Sequence, residues 1–351
     1  MENPAPTDIE TALSPEWLTK ALATRYPGAR VASVAVVETL KTMATKVRFK
    51  VDYAAGAPAS APRDFCMKGF FGADSAANLA SGASEMEARF YLDVAPTVSV
   101  TAPACVYAGI DPANRHGLIL MRDLTAAGAR FLTALEPYSR DQALGTLDQL
   151  ARLHARYWDG GGLDARPWLT SKLDFFANYQ AVPADRLQSL LEGRRGEPLP
   201  AGIKNGQRIY RAIRALHDRG KHAPGCAIHG DAHAGNVFET AQGQGLIDWQ
   251  LLQRGHWALD VAYHIGAVLP PEERARTERE LIEHYLSRLE AHGAKAPRWE
   301  QAWLDYRCHL VYGYYLWGIT QRVVEPVINE FTRRLGSAVA EHDTFALLGV
   351  P

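Results

Sequence analysis

The sequence predicts an α+β protein with two lobes: a small N-terminal lobe built on antiparallel strands and a larger, mainly helical C-terminal lobe. Short β-branched runs dominate residues 31–121 and surround one helical pattern, whereas long helical periodicities take over from about residue 125. A short strand–loop–strand segment interrupts the helical part at residues 226–249. We therefore expect a five-stranded antiparallel sheet with a helix in residues 1–124, and the helical lobe in residues 125–351.

The N-terminal lobe is predicted from alternating apolar and polar residues bounded by turn-forming residues. The first two strands form one hairpin, the last two form another, and a helix over residues 76–94 stops before Pro96. The predicted strands are, in chain order, Val31–Thr39, Val47–Tyr53, Asp64–Phe71, Ala104–Ile110 and Leu118–Met121.

The C-terminal lobe is predicted from apolar residues that recur at helical spacing. In its interrupting segment two short apolar strands, Val237–Phe238 and Leu246–Ile247, flank the Gly-rich turn AQGQG and form a hairpin. The predicted helices are Asp141–Trp158, 203–220, 271–291, 298–319 and 327–340.

The composition excludes several classes of protein. The chain has 351 residues and is 47% hydrophobic, which is typical of a globular protein and not of a disordered one. Its 38 Lys and Arg residues balance 39 Asp and Glu residues, so neither nucleic acid nor an anionic membrane is an expected partner. The four cysteines lie far apart, and no signal peptide or apolar run of about 18 residues is evident. We expect a cytoplasmic protein without an obligate protein partner.

Three polar residues around the predicted C-terminal hairpin indicate chemistry. Asp231 and Asn236 precede the hairpin and Asp248 follows it, so the hairpin can bring their side chains together. Phosphoryl transfer requires such a set, because one carboxylate orients the attacking hydroxyl while an amide oxygen and a second carboxylate hold metal ions. The alternative is that Asp231 and Asn236 are turn residues and that Asp248 ends a solvated strand.

The histidines of this segment have two interpretations. In the first, His229 braces the loop through hydrogen bonds to the backbone. In the second, His229, Asp231 and His233 alternate along an extended segment and bind one metal ion, as in a metal-dependent hydrolase. The hydrolase interpretation leaves Asn236, Asp248 and the N-terminal lobe without a role.

At these residues the chain resembles the aminoglycoside phosphotransferase and choline kinase superfamily, most closely its ecdysteroid-kinase-like branch. The resemblance rests on H-G-D-x-H-x-G-N, on the D-W-Q that follows, and on the continuation GHWALDVAYHI. It implies a protein-kinase-like fold with Asp231 as the catalytic base. It also implies that Asn236 and Asp248 bind magnesium and that Asp260 supports the catalytic loop.

A kinase-like site also needs a cation for the phosphates, paired with a carboxylate from a helix. Lys68 lies in an apolar predicted strand, where an unpaired ammonium would be costly. Glu87 lies on the inward apolar face of the predicted helix, whereas Glu85 points elsewhere and can pair with Arg89 at i,i+4. We expect Lys68 to pair with Glu87; the alternative is that Lys68 extends to solvent from an edge strand and that Glu87 is exposed.

The segment LILMRDL resembles the family's linker between the lobes. This resemblance implies that the backbone of Met121, Arg122 and Asp123 binds adenine.

The first hairpin departs from the family pattern, because ETLKTMATKV has no glycine to let the backbone approach phosphates closely. The hydroxyls of Thr42 and Thr45 and the ammonium groups of Lys41 and Lys46 could substitute. A non-catalytic nucleotide-binding protein is therefore an alternative to an enzyme.

The acceptor is predicted to be a small molecule. Gly230 stands where protein kinases have the Arg of H-R-D, and no A-P-E follows D-W-Q. The aromatic run Trp299–Trp317 is interpreted either as a buried helix or as an aromatic wall for an apolar alcohol such as a steroid or terpenoid. The sequence therefore predicts a phosphotransferase that uses ATP and Mg²⁺ to phosphorylate a hydroxyl of a small molecule.

Overall fold

The computed structural model describes residues 5–72, 81–221 and 225–351, which pack into two compact units. Unit 1 comprises Met1–Thr97, Ala102–Arg130 and Asp248–Leu251. Unit 2 comprises Val98–Thr101, Phe131–Ile247 and Leu252–Pro351. Within the described ranges, no helix combines the length and the apolarity that crossing a membrane would require.

Unit 1 is built on the predicted five-stranded antiparallel sheet, and its strand order is β1-β2-β3-β5-β4. The strands are β1 Val31–Lys41, β2 Thr45–Tyr53, β3 Asp64–Gly69, β4 Cys105–Asp111 and β5 His116–Arg122. Because β3 lies in the middle of the sheet, both of its edges are paired with neighbouring strands.

The first hairpin is tighter than predicted. The sequence suggested a connection over residues 40–46, but Lys41 pairs with Thr45 and only residues 42–44 form the turn. The backbone N–H of Thr42 donates to the carbonyl of Ala44 at 3.0 Å and closes this turn. The predicted connection was too long because polar residues at its two ends belong to the strands.

The sheet of unit 1 has one apolar face and one polar face, because side chains alternate along each strand. Val47 and Phe65 belong to the buried core, where they join Trp17 and Leu18 of an N-terminal helix. The two N-terminal helices are α1 Ile9–Ala12 and α2 Pro15–Leu22. The opposite face carries Lys68, so the polar chemistry of unit 1 lies on the side away from this core.

One further helix of unit 1, α3 Ala83–Arg89, continues as a π-helical turn over Phe90–Val94. The predicted helix over residues 76–94 is confirmed over residues 83–94, but it is not continuous, because Gly82 has a φ of +63° and lies outside the helix. Residues 76–80 lie outside the described residues.

Unit 2 is mainly helical, as predicted. Its helices are α4 Arg140–Arg156, α5 Lys172–Asn178, α6 Ala184–Glu192, α7 Gly206–Gly220, α8 Ala258–Val268, α9 Pro271–Ala291, α10 Trp299–Ile319, α11 Glu325–Glu341 and α12 Thr344–Leu347. The periodic segments predicted α4, α7, α9, α10 and α11 to within a few residues, whereas α5, α6, α8 and α12 were not predicted from periodicity.

Short strands accompany these helices. They are β6 Arg130–Phe131 at the unit boundary, β7 Cys226–Ile228, β8 Val237–Thr240, β9 Gly243–Leu246 and β10 Gln253–Gly255. β7 pairs antiparallel with β10, and β8 forms a hairpin with β9. The turn predicted over AQGQG is wrong in extent, because Gly243 already pairs with Thr240 and leaves only two residues in the turn.

The aromatic helix α10 lies inside unit 2. Tyr306, Tyr312, Tyr314 and Tyr315 are fully buried, and Trp317 is 4% exposed. These side chains pack against neighbouring helices and do not form an open wall. The structure therefore favours the buried-helix interpretation of this run.

Candidate active site

The segment between β7 and β8, residues 229–236, forms a tight loop that we call the 229–236 loop. Gly230 has a φ of +83°, a left-handed conformation that glycine adopts without a steric penalty. Nδ1 of His233 accepts a hydrogen bond from the backbone N–H of Gly235 at 3.0 Å. The fold of the loop therefore depends on a glycine and on local side-chain-to-backbone bonds, both visible in the sequence pattern.

Asp260 on α8 supports this loop. Its carboxylate accepts hydrogen bonds from the backbone N–H of His229 at 2.6 Å and of Gly230 at 2.7 Å. Nε2 of His154 donates a third bond, and Nδ1 of His154 accepts from the hydroxyl of Tyr285. Asp260, His154 and Tyr285 are all fully buried, where hydrogen bonds to a charged acceptor are strong.

His229 uses both ring nitrogens inside unit 2. Nδ1 accepts from the backbone N–H of Asp231 at 3.2 Å, and Nε2 donates to the carbonyl of Ile247 at 2.9 Å. The metal-hydrolase interpretation is wrong, because it requires His229 to offer a nitrogen lone pair together with Asp231 and His233. No group of three or more His, Cys, Asp or Glu side chains in the described part of the chain can hold a metal ion.

Asp231 has both carboxylate oxygens bonded. The hydroxyl of Tyr263 donates to Oδ1 at 2.9 Å, and Nδ2 of Asn236 donates to Oδ2 at 3.0 Å. The side chain is still 26% exposed, so a ligand can reach it. A fixed, accessible carboxylate can orient a hydroxyl group and accept its proton.

Asn236 is itself oriented by two bonds, since Nδ2 also donates to the backbone carbonyl of Asp231 at 2.9 Å. Because Nδ2 makes both bonds, Oδ1 is left as the acceptor, and it forms no hydrogen bond to any residue described here. Amide oxygens are among the oxygen ligands of divalent cations. The orientation of Asn236 therefore fits the metal-ligand role that the resemblance implies.

In unit 1, Lys68 forms the ion pair with Glu87 that the sequence predicts. Its Nζ lies 2.7 Å from Oε2 of Glu87 and 2.9 Å from Oδ1 of Asp248. Lys68 and Glu87 are each only 4% exposed, and β3 is a central strand, so the edge-strand alternative is wrong. Burial alone would lower the pKa of Lys68, but Asp248 and Glu87 outweigh it and raise this pKa. The lysine is therefore a charged ammonium at neutral pH.

Asp248 has an unusual backbone. Its φ is +65°, which is uncommon for a residue other than glycine and is often found at functional sites. Trp249, the next residue, is fully buried and stacks on Phe90 with ring centroids 3.6 Å apart. This packing helps to hold Asp248 in place, and its carboxylate, with 24% of the side chain exposed, suits a metal ligand.

The phosphate-binding expectation for the first hairpin is only partly consistent with the structure. Thr45 is 2% exposed and is not available to a ligand. Lys46 lies directly opposite Lys68 in the pairing of β2 with β3, so both ammonium groups share the polar face. Lys46 is therefore better placed than Thr45 to contact phosphate in a hairpin that has no glycine.

Two backbone N–H groups of the expected adenine-binding segment are already engaged in unit 1. The backbone N–H groups of Arg122 and Asp123 donate to carbonyls within unit 1, and Met121 lies inside β5. The carboxylate of Asp123 accepts a hydrogen bond from Nε of Arg48 at 2.9 Å. These two N–H groups are therefore unavailable to a base, and a base bound at this segment would have to use other backbone groups.

The structure thus groups Lys68, Glu87 and Asp248 in unit 1. In unit 2 it groups Asp231 and Asn236 with the supporting residues His229 and Asp260.

Sequence reasoning missed Tyr263, which donates to Asp231, and Tyr312, which donates to the carbonyl of Gly230 at 2.9 Å. Tyr263 falls in the GHWALDVAYHI segment, but its spacing alone does not predict a contact with Asp231.

Comparisons with known proteins extend these findings. A family model for the phosphotransferase enzyme family matches residues 73–303. Thiamine kinase from Escherichia coli (strain K12) is 31% identical over 88 residues, which is 25% of this chain and 30% of that protein. The chain therefore matches less than a third of the length of these curated relatives.

Two solved structures share the fold. The GDP complex of aminoglycoside 2'-phosphotransferase-IIIa has a TM-score of 0.50 and 12% identity, and the match covers 93% of this chain and 99% of that chain. Choline kinase from Cryptosporidium parvum Iowa II has a TM-score of 0.50 and 11% identity, and the match covers 95% of each chain. At such low identity the likeness concerns the fold alone.

Proposed function

Because the chain belongs to the phosphotransferase enzyme family, we propose that it is a small-molecule kinase that transfers the γ-phosphoryl group of ATP to a hydroxyl. The observation that carries the proposal is the 229–236 loop, in which Asp231 is fixed at both oxygens yet accessible. Asp231 would orient the acceptor hydroxyl. Because the transition state of phosphoryl transfer is loose, Asp231 would take the proton late in the reaction.

The proposal gives unit 1 the task of binding phosphates. Lys68 would contact phosphate oxygens while Glu87 keeps its ammonium in position, and Lys46 would supply a second positive charge. Magnesium, held by oxygens of Asn236 and Asp248, would neutralise charge on the phosphates. The acidic and amide oxygens of these two side chains suit this hard cation.

We propose an apolar alcohol as the acceptor, such as a steroid, a terpenoid or an aromatic alcohol. Trp317 and Phe331 are buried and pack on the His233 ring beside Asp231, with centroids at 5.2 Å and 5.1 Å. They make the surroundings of Asp231 apolar without themselves forming a wall for the acceptor. Aromatic surroundings also suit organic cations, so thiamine and choline belong in the same screen. We propose the cytoplasm as the compartment, because all four cysteines are free thiols.

The first test separates binding from turnover. MgATP binding is measured by calorimetry, and ADP release is measured with a panel of steroid, terpenoid and aromatic alcohols, thiamine and choline. The Asp231→Asn variant should bind MgATP like the wild type but turn over about 10²- to 10⁴-fold more slowly. The exposed Asp164→Asn substitution in unit 2 serves as the matched control.

A second variant tests the metal role. Asp248→Ala should lose Mg²⁺-dependent ATP binding, and unchanged binding would exclude Asp248 as a ligand. A wild-type protein that binds MgATP but releases no ADP with any acceptor would instead support the non-catalytic alternative.

A further inference from the structure

A buried hydrogen-bond chain runs from helix α10 to Asp231. Nε1 of Trp317 donates to the hydroxyl of Tyr263 at 2.7 Å, and that hydroxyl donates to Oδ1 of Asp231 at 2.9 Å. Tyr263 is 1% exposed and Trp317 is 4% exposed. Neither residue lies in the 229–236 loop, so both act on it from the helical core of unit 2.

The direction of this chain is fixed by chemistry. An indole N–H can only donate, and an ionised carboxylate can only accept. The hydroxyl of Tyr263 must therefore accept from Trp317 and donate to Asp231. Burial, together with the neighbouring Asp231, raises the pKa of Tyr263 well above its ordinary value, so the phenol keeps its proton.

Other groups of unit 2 also face Asp231. Asn236 donates to Oδ2, and Nε2 of His233 lies 3.6 Å from the same oxygen. Because Nδ1 of His233 accepts from the backbone, its Nε2 carries the proton in the neutral ring and faces Asp231 as a donor. Tyr312 is a further titratable neighbour, and its hydroxyl donates to the carbonyl of Gly230. Tyr263 is the residue that donates to Oδ1 from helix α8.

We propose that Tyr263 is a positioning residue that fixes the rotamer of Asp231, and that Trp317 acts on Asp231 through Tyr263. This inference rests on the proposed function, because it takes Asp231 to be the catalytic base. Removing the hydrogen bond from Tyr263 should let the carboxylate of Asp231 rotate away from the acceptor hydroxyl.

The first experiment uses Tyr263→Phe, which removes the hydroxyl and retains the ring. ADP release is measured with MgATP and the alcohol that gives the highest rate in the acceptor screen. We expect kcat to fall about tenfold to hundredfold while the KM for MgATP stays unchanged, because a hydrogen bond to a charged group is lost near the acceptor. The matched control is Tyr314→Phe, which removes a buried hydroxyl from α10 that bonds to the carbonyl of Ile203 at 3.2 Å.

The second experiment separates positioning from folding. MgATP binding is measured by calorimetry, and thermal unfolding is followed, for Tyr263→Phe and Tyr314→Phe. A positioning role leaves the Kd of Tyr263→Phe for MgATP equal to that of the wild type while kcat falls. A merely structural role of Tyr263 would lower the Tm and weaken MgATP binding together with kcat.

Trp317→Phe tests the outer half of the chain and serves as a second variant should Tyr263→Phe fold poorly. We expect a smaller loss of kcat, about threefold, and no further loss when it is combined with Tyr263→Phe, because Trp317 acts through the hydroxyl. Additive losses, or an unchanged kcat in Tyr263→Phe, would overturn the inference. If Asp231→Asn retains full turnover, the proposed function itself fails, and this outcome is distinct from a failure of Tyr263.

Discussion

The charge balance around Lys68 gives the most discriminating prediction. Glu87→Gln keeps the size of the side chain but removes one of the two carboxylates that hold the buried ammonium. Removing a partner from a buried ion pair costs about 3–5 kcal/mol. Because Lys68 keeps Asp248 at 2.9 Å, its ammonium is not left without a partner, and we expect a loss of stability below that range, about 2 kcal/mol.

A loss of that size corresponds to a decrease in Tm of about 4–8 °C for a unit of this size. Function should change as well, because Lys68 would be held by Asp248 alone and would compete with Mg²⁺ for its carboxylate. We therefore expect MgATP binding to weaken and to require a higher Mg²⁺ concentration. Thermal unfolding and calorimetry over a series of Mg²⁺ concentrations measure the two effects.

The matched control lies two positions away on the same helix. Glu85 pairs with Arg89 at 2.9 Å and with Arg115 at 2.6 Å, and both arginines are partly exposed. Exposed ion pairs contribute about 0–1 kcal/mol each, so Glu85→Gln should change stability little and leave the Mg²⁺ dependence unchanged. Equal effects of Glu85→Gln and Glu87→Gln on the Mg²⁺ dependence would refute the reasoning about Lys68.

Three further predictions follow from the same geometry. Lys46→Ala should weaken MgATP binding several-fold in calorimetry, whereas Lys50→Ala, on an exposed position of the same strand, should not. Asp260→Asn should lower the free energy of unfolding in urea by about 3 kcal/mol, because a buried acceptor of two backbone N–H groups is lost; an unchanged urea midpoint would contradict this. Burial lowers the pKa of His264 and His309 from 6.5 to about 4, so the unfolded chain binds more protons between these values. Stability should therefore be highest above pH 6.5 and should fall as the pH decreases toward 4. A urea midpoint that stays constant over this pH range would contradict the prediction. So would a His309→Gln variant whose urea midpoint depends on pH as steeply as that of the wild type.

The sequence predicted the long elements of this fold well, because their patterns average over many residues. Pro271–Ala291 and Trp299–Ile319 each span several turns, so their apolar spacing indicates a helix even where single residues do not fit the pattern. Lys172–Asn178 and Ala184–Glu192 span about two turns each, and a pattern that short does not separate a helix from a loop. Their helical state is set by packing inside unit 2.

The same distinction explains the outcome at the site. Asp231 and Asn236 lie five residues apart in a segment whose chemistry is local, so their relation could be predicted from the motif. Tyr263 contacts Asp231 from one helix and Trp317 contacts Tyr263 from another, and nothing in their spacing indicates which face of each helix is turned toward the loop. Contacts between residues on different helices depend on how the helices pack, and the sequence alone did not predict them.

The tryptophan that follows Asp248 gives a physical reason for one departure from the protein-kinase pattern. Trp249 stacks on Phe90 with an angle of 6° between the rings, and Phe90 lies three residues after Glu87. An indole offers a larger stacking area than a phenylalanine ring, and this contact is fully buried. The residue after Asp248 is thereby packed beside the helix that anchors Lys68. Because Asp248 also has a positive φ, which is unfavourable by itself, this stacking helps to compensate for the strain. The D-W-Q segment and the Glu87 helix are therefore coupled through packing as well as through the shared charge of Lys68.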